Sequence, residues 1–244
     1  MAVAWAVVAP LVSLFYKPGL TASVQTQLSR AEATQEILRY IESEKWKNLL
    51  DKVSNGMFWF SSCELWKDAE QWLQRFKEGD IPPEERACWQ TMIAVGQGNY
   101  ALAPNLERLL PQIKWDSARK LTAVAYAKLG RGEDALRVIQ AAEKLRPKKQ
   151  SHWQGDVYAA LSQWEMALSC YEHANRSAET LHGMAACLTR LGEHREARAL
   201  YRQAIQLSLY IRPDYLRELA VCCQRLGDER LGREAERLAL EHED

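Results

Sequence analysis

Apolar residues recur at helical spacing through almost the whole chain, and stretches with alternating apolar and polar positions are nearly absent. That pattern predicts helices throughout and no sheet. One particular spacing also returns. The stretch LSQWEMALSCYEHA, residues 161–174, sets Ser162, Trp164, Ala167, Tyr171 and Ala174 in a fixed order. LGEHREARALYRQA, residues 191–204, repeats it, as does LGRGEDALRVIQAA, residues 129–142. LGDERLGREAERLA, residues 226–239, and the segment from Gly98 through Tyr100 to Ala103 extend the series on both sides. A fainter copy sits at Glu64, Trp66 and Ala69. Gly98, Gly130, Ser162, Gly192 and Gly227 are then equivalent positions, at steps of 32, 32, 30 and 35 residues. Periods of this size mark a solenoid of stacked supersecondary units.

Each unit is predicted to be a helix, a short turn and a second helix. The glycine permits a turn conformation that other residues resist. The alanines are small because two helices approach closely there. The aromatic residues fill the space between one helix pair and the next. No unit can bury its apolar face alone, so neighbours must stack. A helical bundle with fortuitous self-similarity is the alternative.

The repeat resembles the tetratricopeptide repeat (TPR) family. Gly155, Tyr158, Ser162, Trp164, Ala167, Tyr171 and Ala174 stand where that family has its small and aromatic landmarks. Ala123, Tyr126, Gly130, Ala135, Ala142 and Pro147 do so in the copy before. Ala185, Leu188, Gly192, Ala197, Tyr201 and Ala204 do so in the copy after. The clearest copies cover residues 117–209, with degenerate ones at 57–115 and 213–240. The resemblance implies an all-α fold, a right-handed α-solenoid of antiparallel helix pairs. In the last copy Gly232 replaces the alanine and Glu236 the aromatic, which suits a polar-faced cap. Pro104 and Pro111 bracket a short second helix in the Gly98 copy. The expected organisation is an apolar segment at 1–23, a helical region with degenerate repeats at 24–80, and the repeat array at 81–244.

In this family the first helices line a groove that takes extended or helical segments of partners. The groove candidates here are Lys120, Lys128, Lys149, His152, Asp156, His182, Arg190, Arg217, Gln224 and Arg225. Basic residues dominate, so an acidic segment of another protein is the expected ligand. The alternative is a merely solvated face. Co-chaperones of the family grip a terminal carboxylate with a lysine and paired asparagines. Here Val124, Ala127, Asp156 and Ala159 occupy the asparagine positions, which argues against that role.

Composition narrows the picture. Lys plus Arg and Asp plus Glu each number 32, so overall charge gives no drive toward nucleic acid. The six cysteines include no C-x-x-C pair and read as small apolar residues in a reducing compartment. No phosphate-binding glycine loop, G-x-S-x-G or H-E-x-x-H occurs, so no enzyme and no cofactor or metal is expected. Phe58, Trp59, Trp66 and Trp72 form a candidate aromatic interface, or filling between imperfect repeats. Met1–Tyr16 carries no charged side chain. It reads as a segment that packs on the solenoid or a partner, as a membrane contact, or as a signal. The leading expectation is a cytoplasmic, non-enzymatic adaptor. A membrane-associated assembly factor or secretion-system accessory protein is the alternative, and end-to-end self-association fits either.

Overall fold

Six turns of one conformation organise the chain. Glu64, Gly98, Gly130, Ser162, Gly192 and Gly227 all have positive φ, between 57° and 103°. These are the repeat positions read from the sequence. The residue after each turn is alike as well: Leu65, Asn99, Arg131, Gln163, Glu193 and Asp228 lie at φ −79° to −94° and ψ 63° to 73°. Left-handed residues of this kind end helices by satisfying carbonyls that would otherwise be orphaned. The amide of Glu193 donates to the Leu188 carbonyl at 2.9 Å, and that of Gly192 to Thr189 at 3.3 Å. The same long bond closes the turns at Leu65, Asn99, Arg131 and Asp228, at 2.8–2.9 Å. The residue after the left-handed one then caps the next helix: Ala197 donates to Glu193, and Gly232 to Asp228, both at 3.0 Å.

The computed structural model describes residues 27–111, 116–141, 147–208 and 210–243. The fold is an all-α solenoid in which the described residues form thirteen α-helices. They are α1 (Arg30–Ser43), α2 (Leu49–Ser62), α3 (Trp66–Gln74), α4 (Pro83–Gly96), α5 (Ala103–Leu109), α6 (Asp116–Lys128) and α7 (Gly132–Gln140). There follow α8 (Pro147–Ala160), α9 (Trp164–Glu172), α10 (Ala178–Leu191), α11 (His194–Leu207), α12 (Pro213–Arg225) and α13 (Glu229–Glu241). A 3₁₀ turn, Tyr100–Leu102, leads into α5, whose first turn holds Pro104. Leu49 opens α2, the first helix of the Glu64 copy. Met1–Tyr16 lies outside the described residues.

The chain divides into two compact units, Thr34–Ser162 and Gln163–Asp244 with the segment up to Ala33. In the first, α2 packs on α3, α3 on α4, α6 on α7, and the first helices α4, α6 and α8 meet in sequence. In the second, α9 packs on α10, α10 on α11, α11 on α12 and α12 on α13. Its core runs from Leu181 and Tyr201 through Ile211, Tyr215, Leu216 and Leu219 to Leu238. Residues 27–29 close this unit: the Ile211 amide donates to the Leu28 carbonyl at 2.8 Å, and Gln27 Nε2 to Ser208 at 3.2 Å. Ser29 and Glu32 then form a reciprocal capping box at the start of α1.

Five residues after each turn stands a small residue. Ala69, Ala103, Ala135, Ala167 and Ala197 are fully buried, and Gly232 takes the position in the last copy. Large residues meet other glycines. A Cβ on Gly56 would lie 2.2 Å from the Trp72 indole, one on Gly96 2.2 Å from Trp66, and one on Gly183 2.5 Å from Tyr171. Each aromatic ring is seated where the facing helix has no side chain.

The turns make a two-sided prediction. At Gly192 an added Cβ would meet nothing within 4 Å, so only backbone strain opposes it. Gly192→Ala should cost about 1–2 kcal/mol. Ser162→Gly removes the same strain at φ 60° and should stabilise by about 0.5–1 kcal/mol. Urea denaturation followed by circular dichroism checks both signs; like signs would refute the shared-turn account.

Candidate functional site

One position on the first helices is cationic or histidine in four successive repeats. Ten residues before the turns at Gly130, Ser162, Gly192 and Gly227 stand Lys120, His152, His182 and Arg217. A constant offset from the turn places them on the same face of α6, α8, α10 and α12. In the earlier Gly98 copy the position is the buried Cys88.

In the unit Thr34–Ser162, Lys120 Nζ lies 2.9 Å from Asp156 Oδ2, and His152 Nε2 3.5 Å from the same oxygen. The three side chains are largely withdrawn from water, at 28%, 15% and 19% exposure. Lys120 and Asp156, expected as separate groove residues, thus form one ion pair between α6 and α8.

In the second unit His182 is the hub. Its ring stacks on Tyr215, with centroids 3.9 Å apart and planes 9° off parallel. Its Nε2 lies 2.8 Å from Glu218 Oε2. The Tyr201 hydroxyl donates to Glu218 and accepts from Thr189 Oγ1 at 3.3 Å. Arg212 grips Asp214 with two hydrogen bonds, at 3.0 and 2.7 Å, and lays its guanidinium 4.5 Å from the Tyr215 ring centre. Arg217 pairs with Glu243. Burial works to raise the Glu218 carboxyl, but the His182 hydrogen bond and charge outweigh it, so it titrates below the usual range. Asp214 is held low likewise, burial being overcome by Arg212. Burial, helped by the Glu218 charge, pushes the Tyr201 hydroxyl far up.

Lys128, Arg190 and Arg225 form a second equivalent set, two residues before the turns at Gly130, Gly192 and Gly227. All three are exposed in the last turn of their helices, where the helix dipole favours a cation. None makes an ion pair among the described residues, although the Arg190 guanidinium lies 5.6 Å from the Trp164 ring centre. Gln224 is exposed beside Arg225. The Lys149 side chain lies outside the described residues.

The aromatic candidates separate. Trp72 is 3% exposed, donates its indole N–H to the Val53 carbonyl at 3.2 Å and meets Phe76 edge-on. Trp66 packs over Gly96. Both are occupied within the chain. Phe58 is 41% exposed and leans on the half-buried Trp59, which touches Tyr40.

Sequence reasoning named His182 and Arg217 but not Glu218, Glu243, Tyr201 or Tyr215 as their partners. Tyr201 was read as a packing landmark, and nothing in the periodicity says that its hydroxyl reaches Glu218 on the next first helix. Among the described residues no group of three or more His, Cys, Asp or Glu could hold a metal ion, and no helix is long and apolar enough to cross a membrane.

No family model matches the chain, and no curated protein matches it. A solved structure titled MamA MSR-1 C2 aligns with 63% of this chain and 92% of its own, at 16% identity and a TM-score of 0.42. At that score the superposition carries no argument, and the repeat character of this chain rests on its own six turns.

The carboxylates give the pH behaviour a sign. Glu218 and Asp214 titrate lower in the folded protein than in the unfolded chain. They therefore add stability above the unfolded carboxylate range, about pH 4, and that stability is lost as pH falls through their folded values. Glu218→Gln should flatten the acid limb of stability against pH. An unchanged limb by thermal melting would show that the pair is energetically silent.

Proposed function

We propose that this chain is a non-enzymatic interaction scaffold that holds an acidic segment of another protein on the first-helix faces of its repeats. The observation that supports it is the repeated cationic position, Lys120, His152, His182 and Arg217, with Lys128, Arg190 and Arg225 exposed at the ends of the same helices. Within each unit, an interaction face built on equivalent positions of successive repeats presents its charges in register with an extended or helical ligand. Charge-assisted hydrogen bonds from arginine favour carboxylates. Lys120 and Arg217 hold carboxylates of their own chain, so the exposed set is the better handle on the partner.

A pull-down with cross-linking and mass spectrometry tests this, wild type beside the triple variant Lys128→Glu, Arg190→Glu, Arg225→Glu. The variant removes no ion pair among the described residues, so circular dichroism should show an unchanged helical signal. Loss of one dominant partner is the expected result, with at least ten-fold weaker binding on the order of 0.5 kcal/mol per reversed charge or more. Retention of all partners would sink the reading and direct attention to Phe58 and Trp59.

The membrane-linked alternative rests on Met1–Tyr16. Fractionation of full-length protein against a chain beginning near Thr21 tests it, and equal partitioning would count against it.

A further inference from the structure

We infer that His182 makes the second unit's face acid-responsive, so that an acidic segment binds more tightly when this one histidine is protonated. The inference rests on the proposed reading of that face and adds its regulation.

Charges of both signs surround His182: Arg176, Arg190, Arg212, Arg217 and Arg225 stand on or just before α10 and α12, beside Glu179, Asp214 and Glu218. Two of the cations are directly paired, Arg212 with Asp214 and Arg217 with Glu243. With His182 neutral, the Glu218 carboxylate beside it repels an incoming polyanion. With His182 charged, the face gains one positive charge next to that carboxylate. Histidine is the side chain whose charge changes between about pH 5 and 8.

The groups that face His182 come from each helix packed against α10. From α12 they are Glu218 at 2.8 Å, the Tyr215 ring at 3.9 Å and the Asp214 carboxylate, whose charge interacts with it. From α11 it is Tyr201, with ring centroids 5.8 Å apart. From α9 it is Tyr171, seated on the neighbouring Gly183. On α10 itself Glu179 lies one turn earlier. The Arg212 guanidinium lies 4.5 Å from the centre of that Tyr215 ring and is held by Asp214, and Glu218 is placed to accept a hydrogen bond from a protonated His182 Nε2. Protonation turns the His182–Glu218 contact into a neutral ion pair. Glu218 then no longer repels an incoming carboxylate. The change is a local loss of negative potential at the point where Arg217 and Arg190 flank the face.

The position also explains why the effect belongs to this unit. The equivalent His152 shares Asp156 with Lys120, a permanent cation that already offsets that carboxylate. Glu218 has the neutral Tyr201 hydroxyl and, as its ion-pair partner among the described residues, the histidine, whose charge is conditional.

A labelled short peptide of alternating Asp and Ala serves as the probe, with the full-length protein, at about pH 5.5 and about pH 7.5 and low salt. Its carboxylates are ionised at both values. Wild type should bind about five-fold more tightly at the lower pH. His182→Gln should bind with no such dependence, while His152→Gln should keep it. Adding the peptide to wild type should also move the titration of the His182 ring protons, followed by NMR, to higher pH; this measurement needs no variant. Binding that is charge-dependent but equal at the two pH values overturns the inference and leaves the scaffold reading intact. So does a pH response that survives in His182→Gln or vanishes in His152→Gln. If wild type binds the peptide at neither pH, or the triple reversal binds as wild type does, the scaffold reading fails first.

Discussion

The left-handed turn is the constraint on which the rest of the structure depends. A helix that ends in a positive-φ residue and resumes one residue later has almost no freedom in how the next helix leaves. The six turns share the shorter bond and the dihedrals of the following residue, and five of them the longer bond, so they impose one exit direction. Everything in fixed register with the turn then recurs. The fully buried alanine five residues on lets the two helices of a pair come together, and the aromatic or aliphatic residue nine residues on, Ile139, Tyr171 or Tyr201, lands against the next first helix.

Glycine is the natural occupant, yet Glu64 and Ser162 hold the same conformation. Their strain is small beside the burial that the turns organise: Phe60, Leu65 and Ala69 near Glu64 in the chain, and Val157, Ala167 and Tyr171 near Ser162, are withdrawn almost completely from water. Local preference and tertiary packing point to one answer in four turns and disagree in two, and packing prevails where they disagree. The large residues follow the same logic. Trp66, Trp72 and Tyr171 do not create their own space; Gly96, Gly56 and Gly183 leave it for them.

The regular turn also produces the charged face. Lys120 and His152 take equivalent places on α6 and α8, and His182 and Arg217 on α10 and α12, because each is counted back from a turn of the same shape. Their environments nevertheless differ. One carboxylate serves two cationic groups around Asp156, whereas Glu218 is shared between a histidine and a tyrosine hydroxyl. Repetition of the backbone gives equivalent groups equivalent places on their helices, and divergence of the side chains gives each a different partner.

The amino-acid sequence by itself determined the helices, the positions of all six turns and the small residues beside them, since these follow from local backbone preference and from periodicity. The repeat spacing also assigned the candidate residues to the first helices, which carry them. It did not reveal that Lys120 is held by Asp156, that Arg217 is held by Glu243 or that His182 stacks on Tyr215. Nor did it separate the buried Trp72 from the exposed Phe58. Those contacts join residues 19 to 36 positions apart, on different elements of the chain. They are set by where one helix lies against another, a distance that no periodicity within a single helix encodes.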